Sequence, residues 1–168
     1  GVNYVTFGLI CQELERVDSS IRSFAAVQSG LCMFPIWKYG SEEQKQKWLP
    51  AIASGKKIAC FGLTEPNRGS DVGSLETVAK RDGDGWIING AKQWISEAAT
   101  ADVSIVWAQT DEGMRGFLVE KGTEGLTQTF QSLKGSLRAG DVGELALMDC
   151  RVPDENMLPE AKGMRPPL

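Results

Sequence analysis

Ala59-Cys60-Phe61-Gly62-Leu63-Thr64-Glu65-Pro66-Asn67-Arg68-Gly69-Ser70-Asp71 is the stretch on which the reading of this chain turns. An apolar run of strand formers stops at a hydroxyl, a carboxylate and a proline, then gives way to Gly-Ser-Asp. Pro66 presets one φ angle, Asn67 tolerates turn geometry, and Gly69 lets backbone come close to a ligand. The segment reads as a strand that opens into a polar loop bearing the Thr64 and Ser70 hydroxyls and free backbone N–H groups. Such a loop can hold carbonyls and phosphates, although an ordinary strand-to-loop exit has the same composition.

Around this stretch the hydrophobic period changes. Upstream it is helical: Val5, Leu9, Leu14 and Val17 share a face, and Gln12, Glu13, Glu15 and Arg16 lie mostly opposite. Asp18-Ser19-Ser20 reads as a stop and restart, followed by a helix through Ile21–Val27 and a further apolar segment from Leu31 to Tyr39. Ser41 and Gln44 form a capping box, with Glu42 and Glu43 at the positive end of the helix dipole. From Lys56 the pattern alternates. Strands are expected at 58–64, 76–81, 86–89, 91–96, 102–109, 116–120, 126–130 and 144–148, with turns at Asp82-Gly83-Asp84-Gly85 and Asp111-Glu112-Gly113 and a type I′ hairpin at Asn89-Gly90. The fold class is therefore α+β: an N-terminal helical segment, residues 1–54, then an antiparallel β-barrel or sandwich, residues 55–168. The first residues, Gly1-Val2-Asn3-Tyr4-Val5, read as the interior of a helix already under way.

Composition excludes several functions. The chain has 168 residues, 42% of them apolar and 24% charged, as in ordinary globular proteins. A net charge of −4 offers no attraction to nucleic acid or anionic lipid, and no apolar run is long enough to insert into a membrane. Cys11, Cys32, Cys60 and Cys150 are widely spaced, without a Cys-x-x-Cys pair, and read as buried free thiols of a reducing compartment. The chain contains no histidine, which removes Ser-His and Cys-His catalysis and the commonest transition-metal ligand. Chemistry is left to carboxylates, hydroxyls, backbone dipoles or a cofactor. Gly83-Asp84-Gly85-Trp86 lacks dinucleotide-fingerprint spacing and joins strand to strand, and Gly69-Ser70-Asp71 is no nucleophile elbow.

A second motif, Lys92-Gln93-Trp94-Ile95-Ser96-Glu97, puts an aromatic and a hydroxyl two residues apart, on one face of a regular strand. That combination suits a flat heteroaromatic ligand as well as a core tryptophan beside a half-exposed serine. With the loop at 61–71 it resembles the acyl-CoA dehydrogenase family, most closely the glutaryl-CoA dehydrogenases, and the likeness runs from Glu13-Leu14-Glu15-Arg16-Val17-Asp18 to Val152-Pro153-Asp154-Glu155-Asn156. The resemblance implies FAD as cofactor, held by Phe61, Gly62, Leu63, Thr64, Glu65, Pro66, Asn67, Arg68, Gly69 and Ser70 at its pyrimidine edge and flanked by Trp94, Ile95 and Ser96. Ser96 keeps the hydroxyl of the family's usual threonine and lacks its methyl.

The resemblance also implies an acyl-CoA substrate, with Ser70 touching it and Glu15, Arg22 and Ser23 at the distal end of the pocket. There a guanidinium can grip a free carboxylate. From the residues alone, Arg22 reads equally as a solvated helix charge or a partner of Glu15 or Asp18. No glutamate here matches the family's catalytic base, so the expectation is an internal segment of a longer enzyme, inactive or nearly so alone. Glu65 is expected to be structural. The full enzyme is expected to pass electrons to an electron-transfer flavoprotein, to be a tetramer, and to act in bacterial cytoplasm or the mitochondrial matrix. A dehydrogenase of another short acyl-CoA, or a non-catalytic flavin- or CoA-binding or scaffold module, remains open.

Overall fold

The computed structural model describes residues 3–168. Gly1 and Val2 lie outside the described residues. Asn3 is not inside a helix but caps one: its Oδ1 accepts the Thr6 N–H at 2.9 Å, so helix α1 begins at Tyr4 and runs Tyr4–Val17. Asp18 ends α1 and caps α2 (Ser19–Ala26), its carboxylate accepting the Ser20 N–H at 2.6 Å. This is the stop and restart expected of Asp-Ser-Ser. Beyond Ala26 the helix does not break. It continues as a π-helical segment, Val27–Met33, into α3 (Phe34–Tyr39), so that one continuous helix runs where two were expected. The capping box forms at Ser41 and Gln44, and α4 spans Glu42–Ala53.

The β part has seven strands: β1 (Ala59–Gly62), β2 (Val78–Asp82), β3 (Gly85–Ser96), β4 (Val103–Thr110), β5 (Gly113–Glu120), β6 (Leu126–Phe130) and β7 (Val142–Pro153). One edge of β4 pairs antiparallel with β5, while its other edge takes β1 in parallel and then touches β2 at Val78–Gln109. From β2 the sheet continues antiparallel through β3, β7 and β6. The expected helical segment and β domain are both present, and the sheet is mixed, because β1 arrives from α4 and runs alongside β4. Strand alternation divides the interior. Val103, Ile105 and Trp107 of β4 join Met114 and Leu118 of β5 in a core shared with Val27, Ile36, Trp48 and Ile52 of the helices. Val106, Ala108, Phe117 and Val119 face the opposite side, with Trp86, Ile88, Leu145, Leu147 and Val152. β4 is buried on both faces, which is why its sequence reads as nearly continuous apolar residues.

The expected Asn89-Gly90 hairpin is absent. β3 passes straight through these residues, with a register shift against β7 between Ile88 and Gly90. Gly90 is needed for close approach: its φ is 153°, and a Cβ there would lie 2.4 Å from the Thr77 hydroxyl. Asn89 spends its side chain across strands, accepting the Asp149 N–H at 2.8 Å. Local turn propensity thus yields to pairing with β7.

The junction of helices and sheet rests on Gln28. Its amide accepts the Ala59 N–H at 3.0 Å and donates to the Ala59 carbonyl at 2.7 Å, closing the open edge of β1 from within the π segment. Gln28→Leu keeps the volume and strands both Ala59 groups. It is expected to cost about 2–6 kcal/mol, at 1–3 per buried unpaired group, measured by denaturant unfolding.

Candidate functional site

The polar loop forms because Glu65 and Arg68 exchange main-chain hydrogen bonds, Glu65 N–H to Arg68 at 2.8 Å and Arg68 N–H to Glu65 at 3.2 Å. Pro66 and Asn67 occupy the turn between them, as their φ preferences suggest. Glu65 then turns inward. Its carboxylate accepts the Glu76 N–H at 2.6 Å, the Thr77 N–H at 2.9 Å and the Lys92 ammonium at 2.8 Å. Lys92 has no solvent exposure, and its second acceptor is the Leu63 carbonyl at 3.1 Å. One residue on, the Gln93 N–H reaches the Thr64 carbonyl at 2.9 Å. Two consecutive carbonyls of the loop are therefore held by two consecutive residues of β3.

Burial alone would raise the Glu65 carboxyl, but Lys92 and the Thr77 and Glu76 donors outweigh it and hold the group below its ordinary value. Burial pulls the Lys92 ammonium down to about 8, against the opposing pull of Glu65. Both stay charged at neutral pH. Glu65 is thus a structural anion, as the sequence suggests.

Beyond Lys92 the β3–β7 register shifts again, between Lys92 and Ile95. Trp94 is caught in this bulge with φ 61°, and its ring is pushed outward, 56% exposed. The regular alternation assumed from the sequence is broken there. Trp94 and Ser96 nevertheless line one cleft of about 300 Å³, together with Phe61, Leu63, Thr64 and Ile95. The helix side of the cleft is Val27 and Leu31 of the π segment, and Pro167 completes it. A mostly apolar cleft with one hydroxyl from the polar loop, one from the end of β3 and an indole at its rim suits a planar heteroaromatic ring with polar edges.

The remaining sequence-nominated residues divide. Gly62 lies beneath the cleft, where a Cβ would come within 3.1 Å of Leu145 and 3.4 Å of the Lys92 side chain. Asn67 and Arg68 serve the loop itself through Glu76 and the Ser74 carbonyl. Pro66, Gly69 and Ser70 are exposed and outside the cleft lining. Glu15 and Arg22 meet at 2.8 Å, and Ser19 also donates to Glu15, so the guanidinium has the local partner that the plain reading offered. None of Glu15, Arg22, Ser23 or Ser70 lines the cleft holding Thr64 and Trp94. Sequence reading missed Val27 and Leu31, which look like core positions, and Lys92, whose signal was a lone cation inside an apolar strand.

A second hollow, of about 270 Å³, lies where α2 meets the end of β3, lined by Ser20, Ile21, Phe24, Glu97, Ala139 and Gly140. Glu97 is buried, and its carboxyl is raised first by that burial and then by Asp141. No cluster of three or more His, Cys, Asp or Glu side chains suited to a metal occurs among the described residues.

Two stability effects follow. The folded Glu65 value lies below its ordinary 4.5, so its contribution is complete above that pH and lost as pH falls through the folded value. Lys92→Met leaves this anion buried and unpaired and is expected to cost about 3–5 kcal/mol at neutral pH, measured by urea unfolding. Glu97 has the opposite sign: its folded value is raised, so its contribution is present at low pH and lost as pH rises. Glu97→Gln is therefore expected to raise Tm at pH 7 and to leave it nearly unchanged at pH 4.

Residues 60–150 match the model of the acyl-CoA dehydrogenase middle domain, and residues 1–56 that of the acyl-CoA dehydrogenase N-terminal domain. The mitochondrial short-chain specific acyl-CoA dehydrogenase of Mus musculus is 38% identical over 165 residues, covering 95% of this chain and 40% of the relative. A glutaryl-CoA dehydrogenase from Mycobacterium smegmatis, solved in complex with FADH2, has a TM-score of 0.97 and 52% identity over 99% of this chain and 43% of that one. A chain in a structure of the electron transferring flavoprotein of Acidaminococcus fermentans has a TM-score of 0.83 and 37% identity, covering 90% and 41%. The chain thus spans about two fifths of the length of these relatives. With a family domain matched on either side of the helix–sheet junction, the chain belongs to the acyl-CoA dehydrogenase family.

Proposed function

We propose that this chain is the flavin-binding segment of an acyl-CoA dehydrogenase that oxidises a short acyl-CoA thioester at its α,β bond, with glutaryl-CoA as the leading substrate. The observation that carries the reading is the convergence of Thr64, from the loop after β1, with Trp94 and Ser96, from the end of β3, on one cleft. The residues fit FAD. Thr64 and Ser96 offer hydroxyls to a polar ring edge, Trp94 offers an indole to its face, and Phe61, Leu63, Val27 and Leu31 exclude water from the rest. When bound, FAD supplies the hydride acceptor. The chain's own contribution is to orient the ring and to place donors where negative charge accumulates on reduction.

Glu65 does not serve as the base that takes the α-proton, because its carboxylate is held by Lys92 and two main-chain N–H groups. The base is assigned to a glutamate in the C-terminal helical domain of the full enzyme, by resemblance to the family. Its electrons pass to an electron-transfer flavoprotein, in a homotetramer of bacterial cytoplasm or mitochondrial matrix. Support for glutaryl-CoA is the 52% identity with the M. smegmatis enzyme together with the Glu15–Arg22 pair, whose guanidinium could turn to a substrate carboxylate. Decarboxylation after dehydrogenation belongs to the same reading. A second reading, a butyryl-type substrate, draws on the mouse short-chain relative and on Arg22 being engaged by Glu15.

Titration of the purified chain with FAD is expected to quench flavin fluorescence and leave a yellow protein after desalting. Thr64→Val combined with Ser96→Ala is expected to weaken that binding at least about tenfold, at about 0.5–1.5 kcal/mol for each of the two hydrogen bonds lost. In an active enzyme carrying this segment, Arg22→Leu is expected to lower kcat/KM for glutaryl-CoA at least about tenfold relative to butyryl-CoA. An unchanged ratio would favour the second reading.

A further inference from the structure

Lys92 is the one fully buried cation among the described residues, and it reaches past its counter-ion to a main-chain carbonyl beside the cleft. That carbonyl, of Leu63, belongs to the peptide group whose N–H is Thr64's. In a trans peptide the C=O and the following N–H point in opposite directions, and the described chain has no cis peptide bond. Holding the Leu63 carbonyl toward Lys92, in the interior, therefore turns the Thr64 N–H the other way, to the side where Thr64 lines the cleft. The Gln93 N–H on the Thr64 carbonyl fixes the next peptide in the same manner. Gly62, just before, packs closely on Leu145 and the Lys92 stem, where an added Cβ would lie 3.1 and 3.4 Å from them.

We propose that Lys92 is a positioning residue for the cofactor site: through the Leu63 carbonyl it aims the Thr64 N–H into the cleft as a donor to the flavin ring edge. The inference rests on the flavin reading above and goes beyond it by assigning a role to a residue that never touches the ring. Glu65 is needed in this device to keep the ammonium charged where water does not reach, and the Glu76 and Thr77 N–H groups are needed to keep Glu65 charged in turn. A preset donor costs no reorganisation when the ring gains an electron pair, so its effect falls on the reduced flavin more than on the oxidised one.

The test separates positioning from bulk stability. The double variant Lys92→Met, Glu65→Gln removes both charges together, and the amide oxygen of the new side chain can still accept from one of the Glu76 and Thr77 N–H groups. At matched Tm it is expected to bind FAD at least about tenfold more weakly, and to shift the potential of bound FAD to more negative values, because the reduced ring loses a donor. A double variant with wild-type Tm, wild-type FAD affinity and wild-type potential would overturn the proposal. A second measurement needs no substitution: in the unaltered chain the Thr64 amide should slow its hydrogen exchange and change chemical shift when FAD is added. If FAD binds and the Thr64 amide responds in neither way, the proposal is overturned while the flavin reading stands. If the unaltered chain binds no FAD at all, the flavin reading itself fails, and the proposal with it.

Discussion

The ion pair between Lys92 and Glu65 sits where water cannot solvate either partner, and the functional end of the molecule is built around that constraint. A buried pair tolerates little slack, since desolvation is offset only while every lone pair and proton is used. Here the Glu76 and Thr77 N–H groups donate to the carboxylate, and the Leu63 carbonyl accepts a hydrogen bond from the ammonium. The loop is thereby tied to Lys92 of β3 directly at Leu63 and, through the Glu65 carboxylate, at Glu76 and Thr77. The bulge that turns Trp94 outward begins directly after that side chain. Loop and bulge are placed relative to each other by this pair together with the Gln93 N–H on the Thr64 carbonyl, and so are the hydroxyl and the indole they carry.

The opposite wall of the cleft is set by a different device. β1 has β4 on one edge only, and Gln28 supplies the missing pairings from the helix. Val27 is adjacent to Gln28 and Leu31 follows in the same π segment, so the residue that joins helix to sheet also brings the apolar wall to the cleft. π segments are rare and concentrate at functional sites, which agrees with this location. The two walls are independent in sequence and are brought together by β1, which carries Gln28 at Ala59 and enters the polar loop at its other end.

The division of labour that results is typical of cofactor enzymes. The reactive group is borrowed, and the protein contributes orientation, dryness and preset dipoles. This explains why a chain without histidine can still carry a redox site, and why its most perturbed cation is found one layer behind the cleft rather than in it. Glu15 and Arg22, on α1 and α2, pair outside this cleft in partly exposed surroundings.

Features that depend on near neighbours were legible in the sequence. The Asp18 and Ser41 caps, the turn at Pro66-Asn67, the helical period giving way to alternation, and the motifs at 61–71 and 92–97 are all local. The caps, the turn and the change of period formed as expected, whereas a bulge at Trp94 broke the alternation assumed for 92–97. Where local preference competed with long-range pairing, the tertiary structure decided. Asn89-Gly90 favours a hairpin on its own, yet β7 offered an unbroken ladder and Thr77 left no space for a side chain. The unbroken helix at 27–33 and the parallel entry of β1 beside β4 are decisions of the same kind. Lys92 shows the reason most clearly: a lysine is rarely buried without a partner, and its partner here is a carboxylate 27 positions earlier in the chain. Periodicity reports which residues leave water, but the partner that lets a charge do so is fixed by the fold.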